Sequence, residues 1–100
     1  MLTSKERAYL RGLANGTDTI GQIGKDGITE SVIAQAGDAL RARELIKLRV
    51  LETAMLTARE ACEVMCEALD AEPVQCIGSR FVIYRRNAEK PVIELPRAKK

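Results

Sequence analysis

Histidine and tryptophan are absent from this 100-residue chain, and Tyr9, Phe81 and Tyr84 are its three aromatic residues. Without histidine no Ser-His or Cys-His pair can activate a nucleophile, and no zinc site of mixed cysteine and histidine ligands can be assembled. With so few aromatic rings, stacking on planar ligands is a minor device, and the core must come from Leu, Ile, Val, Ala and Met. Long apolar runs are missing too: none approaches the roughly 20 residues that cross a bilayer, and Met1-Leu2-Thr3-Ser4-Lys5 lacks a signal peptide's apolar core. No membrane partner and a cytoplasmic address are the expectation. The three cysteines, Cys62, Cys66 and Cys76, are odd in number and sit inside apolar periodic segments, which suits reduced core thiols rather than a disulfide framework.

What is present describes one globular domain. The hydrophobic fraction of 46% and charged fraction of 30% are close to globular averages, and a chain of this length cannot divide its core. The net charge of +2 and pI near 8.5 predict no partner by themselves. The distribution says more. Residues 1–50 hold eight Lys/Arg against six Asp/Glu, whereas residues 57–72 set Arg59 alone against Glu60, Glu63, Glu67, Asp70 and Glu72.

Thr3 and Glu6 have the spacing of a capping box, with Leu2 placed as a hydrophobic staple, so a helix begins here and stops at Asn15-Gly16. Ala8, Tyr9, Gly12 and Leu13 form its predicted buried stripe, leaving Lys5, Arg7 and Arg11 to solvent. Thr19–Ile23 reads as a short strand, with Ile20 and Ile23 offset by Gly21. Gly24-Lys25-Asp26-Gly27 follows. Thr29 then opens a second helix running to about Ala42, with Val32, Ile33, Ala36 and Leu40 inward and Gly37 placed for a close backbone approach. Ile46, Leu48 and Val50 alternate with Lys47 and Arg49, the period of a half-buried strand. Thr57 and Glu60 repeat the capping-box spacing ahead of a third helix to about Ala71, whose stripe is Ala61, Cys62, Met65, Cys66 and Leu69. Its Glu63 and Glu67 point away from that stripe. Val74–Ile77 and Phe81–Tyr84 read as a hairpin closed by Gly78-Ser79-Arg80. The expected fold is α/β: a leading helix, then β-α-β-α-β-β, giving three helices and a mixed four-stranded sheet. Residues 1–86 form the domain, and 87–100, with Pro91 and Pro96, a C-terminal tail; Arg85, Arg86, Lys99 and Lys100 read as solubilising ends.

A Gly-x-x-Gly loop between strand and helix has a physical use. Two glycines let the backbone approach a sugar-phosphate chain, and the following helix N-terminus offers free N–H groups and a positive dipole end. Lys25 adds charge, and KH-type domains clamp nucleotides with such a loop. On spacing alone, Gly24, Lys25, Asp26 and Gly27 fit a clamp or an ordinary turn. Lys5, Arg7 and Arg11, with Arg41, Arg43, Lys47 and Arg49, fit either one basic surface beside the loop or ordinary solvated faces. The loop lacks the length and the trailing Lys-Ser/Thr of a nucleotide-hydrolysing loop.

Three separated runs carry a resemblance: Leu2–Ala14, Gln22–Glu30 and Ala42–Lys47, continued through Val74–Gly78, Val82–Arg85 and Ile93–Arg97. Together they resemble the CRM domain, the chloroplast RNA splicing and ribosome maturation module, in its free-standing bacterial YhbY-like form. That resemblance implies an RNA-binding fold similar to the C-terminal domain of the third bacterial translation initiation factor. It implies association with large-subunit ribosomal RNA and pre-ribosomal particles, assisting assembly without catalysis. It places RNA contacts on Gly24, Lys25, Asp26 and Gly27, and on Lys5, Arg7, Arg11, Lys47 and Arg49. No catalytic residue, metal or cofactor is expected, and the chain is expected to act as a monomer. The alternative is a protein-interaction module docking a ribosomal or assembly protein through the acidic third helix.

Overall fold

The computed structural model describes residues 3–86 and Ile93; the staple at Leu2 and the remainder of the tail predicted over 87–100 lie outside them. Helix α1 spans Ser4–Asn15 and opens on the predicted capping box, Thr3 N–H donating to Glu6 Oε1 at 2.9 Å and Glu6 N–H to Thr3 Oγ1 at 3.1 Å. Strand β1 is Thr19–Ile23 and helix α2 Glu30–Arg43, with Thr29 Oγ1 accepting from Val32 N–H at 3.2 Å. Strand β2 is Leu45–Val50. A single 3-10 turn, Glu52–Ala54, which the sequence pattern does not announce, leads to helix α3, Ala58–Leu69. Its capping box joins Thr57 and Glu60 at 2.8 and 3.1 Å. Strands β3, Glu72–Ile77, and β4, Arg80–Tyr84, complete the domain. The expected mixed sheet of four strands is present, in the order β1-β2-β4-β3 with β1 parallel to β2 and the other pairs antiparallel.

Strand alternation divides the apolar residues between two faces. Ile46, Leu48 and Val50 of β2, with Phe81 and Ile83 of β4, face α2 and α3 and meet Leu40 and Met65 in the main core. Among the described residues α1 is the one helix on the second face, through Leu10 and Ala14 against Leu45, Val74, Val82 and Tyr84. This corrects the predicted first helix. Its inward residues are Leu10 and Ala14, while Ala8, Tyr9, Gly12 and Leu13 are exposed, Tyr9 by 42% and Leu13 by 37%. Apolar residues are spread around the helix between its charged ones, and the sheet accepts the narrow seam in which Leu10 is followed one turn later by Ala14. Ile93 extends this second cluster, its N–H donating to the buried carboxylate of Glu44 at 2.6 Å.

Gly37 has the role its position suggests: a Cβ there would lie 3.3 Å from Leu69 Cδ2, so its absence lets α2 approach α3. Arg85 departs from expectation. Its Nη1 donates to Leu69 O at 3.0 Å and its Nη2 to Gly37 O at 3.2 Å, so it ties the end of α3 to the middle of α2 rather than serving as a solubilising end. A cation at the last carbonyl of α3 also complements that helix's negative pole. Cys76 is exposed, against the expectation of a core thiol; Cys62 is buried and Cys66 half-buried. No helix among the described residues is long and apolar enough to cross a membrane. Arg85→Ala should lower unfolding free energy by about 2 kcal/mol, the scale of hydrogen bonds from a charged group, measured by urea denaturation. Because Arg85 reaches into the two-helix layer, nucleic-acid affinity measured well below the melting temperature should not change.

Candidate nucleic-acid interface

The loop predicted as a clamp leaves the C-terminal end of β1 and enters α2. Gly27 N–H donates to Gly24 O at 2.9 Å, closing a tight turn with Lys25 and Asp26 exposed at its tip. The two glycines differ in what the fold asks of them. Gly27 has φ +71°, a left-handed conformation that a side chain disfavours. Gly24 has no positive φ, and a Cβ there would make ordinary contact with Leu51 Cδ1 at 3.8 Å. Nothing within the turn requires residue 24 to be glycine.

Beside this loop no described element covers the sheet. Register places Thr19, Lys47, Val82 and Gln75 in one cross-strand row, and Gln22, Arg49, Arg80 and Ile77 in the next, nearer the loop. Directly paired residues share a face, here the face carrying α1, which packs over Leu45, Val74, Val82 and Tyr84. What lies beyond its reach is polar or cationic, apart from Ile77, which is 64% exposed. The two rows contain three cations and no carboxylate. Among the described residues the ion pair present is Arg41–Asp38 at 3.4 Å, and Lys25, Lys47, Arg49 and Arg80 are bound to no carboxylate. Three unneutralised cations on adjacent strands repel one another, and a polyanion laid across them relieves that repulsion.

Arg49 stands in the row nearer the loop, opposite Gln22, whereas Lys47 pairs with Thr19 at the end of β1 away from the loop. Lys5, Arg7 and Arg11 are not brought to the loop. Arg7 Nε donates to Pro73 O at 3.3 Å beside the β3 edge, and Arg11 lies one turn further along the same flank. Lys5 is in the first turn of α1, whereas Asn15 at the opposite end shares a groove with Lys47 and Arg80. Arg41 and Arg43 occupy the last turn of α2, the end away from the loop.

Over residues 2–85 the sequence matches the family model described as the CRS1 / YhbY (CRM) domain. The chain belongs to the CRM family. It is 38% identical over 96 residues to the Bacillus subtilis (strain 168) protein named "Probable RNA-binding protein YqeI", covering 96% of this chain and 100% of that protein. A Haemophilus influenzae protein named "RNA-binding protein" is 34% identical over 96 residues, 96% of each chain. The solution structure of the hypothetical protein SAV1595 from Staphylococcus aureus has the same fold, with TM-score 0.77 and 47% identity over 96% of this chain and 100% of that one.

Within this CRM-family chain, Arg80 is the cation on this face that pattern reading places elsewhere. It was assigned to the hairpin loop, but Gly78, at φ +59°, turns the chain with Ser79 alone, so Arg80 opens β4 opposite Arg49. The alternation Arg80, Val82, Tyr84 was the available signal. On α3 the pairing of Cys66 with Cys62 raises the Cys66 pKa and lowers that of Cys62. Among the described residues no cluster of potential ligands could hold a metal ion. The loop glycines should separate by calorimetry. Gly27→Ala should cost about 1–2 kcal/mol for its left-handed backbone, whereas Gly24→Ala should remain within about 0.5 kcal/mol of wild type.

Proposed function

We propose that this CRM-family chain binds RNA by its sugar-phosphate backbone, anchoring it at Gly24-Lys25-Asp26-Gly27 and holding it with Lys47, Arg49 and Arg80. The observation that carries this reading is the juxtaposition of a glycine turn ahead of a helix N-terminus with two adjacent cross-strand rows bearing unneutralised cations and no carboxylate. The relatives named as RNA-binding proteins support the same partner. Gly24 leaves space for a backbone to come close, Lys25 supplies a positive charge at the tip, and α2 directs its positive end toward the turn. Arg49 and Arg80 are adjacent across strands and meet successive phosphates. The two rows contain no aromatic side chain, so contact falls on phosphate and ribose rather than on stacked bases.

The target in this proposal is large-subunit ribosomal RNA within pre-ribosomal particles, the association that the family resemblance implies for stand-alone bacterial members. The protein acts there by binding: it holds one RNA conformation while assembly proceeds, with no bond made or broken. Lys5, Arg7 and Arg11 on α1 belong to the same proposed surface at its outer margin.

Lys25→Glu tests the anchor, because it reverses a charge at an exposed tip without touching either glycine. Its melting temperature should match wild type, corresponding to a stability change within roughly 0.5 kcal/mol. Its affinity for large-subunit RNA should fall several-fold, and its salt slope should be smaller by about one. For the wild-type protein, four to six phosphate contacts should give a slope of log K against log salt of about −4 to −5. Unchanged melting with unchanged affinity would remove the clamp. Co-sedimentation with large-subunit precursors that persists after naked-RNA binding is lost would instead favour docking through a protein.

A further inference from the structure

We infer that the bound strand does not end at the cationic sheet face but crosses all four strands and leaves through a groove between α1 and α3, where Arg59 and Arg7 receive it. This rests on the RNA-binding reading above and extends it to a path. Three depressions lie along the route and share lining residues. The first, at the β1 edge, is bounded by Thr19, Gln22, Arg49 and Arg80. Arg80 is also part of the second, with Asn15, Lys47, Gln75 and Ile77. Gln75 in turn belongs to the third, at the β3 edge, with Arg7, Arg59, Glu63 and Cys76. The shared residues string the three depressions together from the β1 edge to the far edge of the sheet.

The apolar lining of this trough, Ile20, Ile77, Val82 and Val74 among it, is interspersed with side chains of one polar kind. Arg49, Arg80, Lys47, Arg7 and Arg59 follow one another along the trough, interleaved with Gln22, Gln75 and Asn15, which can donate to or accept from ribose and phosphate. Glu63 is its single carboxylate, and no aromatic residue lines it. Crossing three inter-strand gaps covers about 14 Å, so the occupant must be extended, polyanionic and continuous. An RNA backbone satisfies all three conditions. The strand order supports the same path: β3 is an edge strand with a bulge between Pro73 and Gln75, which turns backbone pairing away from this edge and leaves the groove open. It also explains the position of Arg7, held by Pro73 O at the groove although remote from the loop. Arg59, on the acidic third helix, is the contact that charge counting along the sequence would discard.

The test compares two labelled RNAs by fluorescence anisotropy at low salt. One is about five nucleotides, little more than a glycine loop of this type holds; the other is about fifteen. Arg59→Gln should weaken the long RNA at least three-fold and leave the short one unchanged, with unaltered melting. Glu63→Gln, which removes the trough's one repulsive charge, should strengthen the long RNA about two-fold. Unchanged affinity of Arg59→Gln for the long RNA would overturn the path, and so would an equal loss on both lengths, which would mean a distant charge effect. Lys25→Glu measured alongside separates the two ideas. If it weakens both RNAs while Arg59→Gln weakens neither, the anchor stands and the path falls; if neither variant weakens either RNA, both fall.

Discussion

A four-stranded sheet presents two faces to be covered, and the lengths of the helices decide what each face can be. Helices α2 and α3 together close one side, so the strand residues there are Ile46, Leu48, Val50, Phe81 and Ile83. Helix α1, with 12 residues, extends about 18 Å and meets the other side alone. Strand residues under it are apolar; those beyond it must tolerate water, and here they are Lys47, Arg49, Arg80, Gln22 and Gln75. The change from apolar to cationic within single strands, Leu45 to Arg49 on β2 and Tyr84 to Arg80 on β4, follows from where that helix stops. A proposed binding surface thus arises from incomplete coverage, with no element added to build it.

Features written in local spacing could be read without coordinates. Both capping boxes, the Thr29 cap, the glycine turn and the alternation of β2 depend on residues within one turn or one strand, and each is found as expected. The misreadings concern choices made by distant residues. Tyr9 with Leu13 and Leu10 with Ala14 are equally good apolar pairs at a spacing of four, and only the shape of the sheet surface selects the second. Arg85 looks like any basic residue after a strand, because its acceptors, Gly37 O and Leu69 O, lie 48 and 16 residues away. Of the candidate site, the loop and Arg49 could be read as neighbours, since a parallel β-α-β unit places the ends of β1 and β2 side by side, while Lys47 lies beside the start of β1. Arg80 could not, because a hairpin of unknown turn length does not announce which residue begins the returning strand.

Charge counted along a chain and charge arranged in space also differ. The third helix is acidic by composition, and its Glu63 and Glu67 are exposed, away from its apolar stripe. Glu63 borders a groove with Arg7 and Arg59, while Glu60 is engaged at the capping box of its own helix. A single arginine among five acids therefore has more influence on an approaching polyanion than its share of the local charge suggests, because it stands where the trough opens.

The strand order bears on how the chain can fold as it is synthesised. Strand β2 lies inside the sheet, yet one of its neighbours, β4, is the last strand along the described chain and itself separates β2 from β3. Until residues 80–84 exist, β2 has β1 on one side and an unpaired edge on the other, and the faces of α2 and α3 lack Phe81 and Ile83. Arg85, which joins those two helices, comes directly afterwards. Vectorial synthesis thus delivers the middle of the sheet last, and the nascent chain carries an open strand edge until that moment, a period in which pairing with another unfinished copy competes with its own completion.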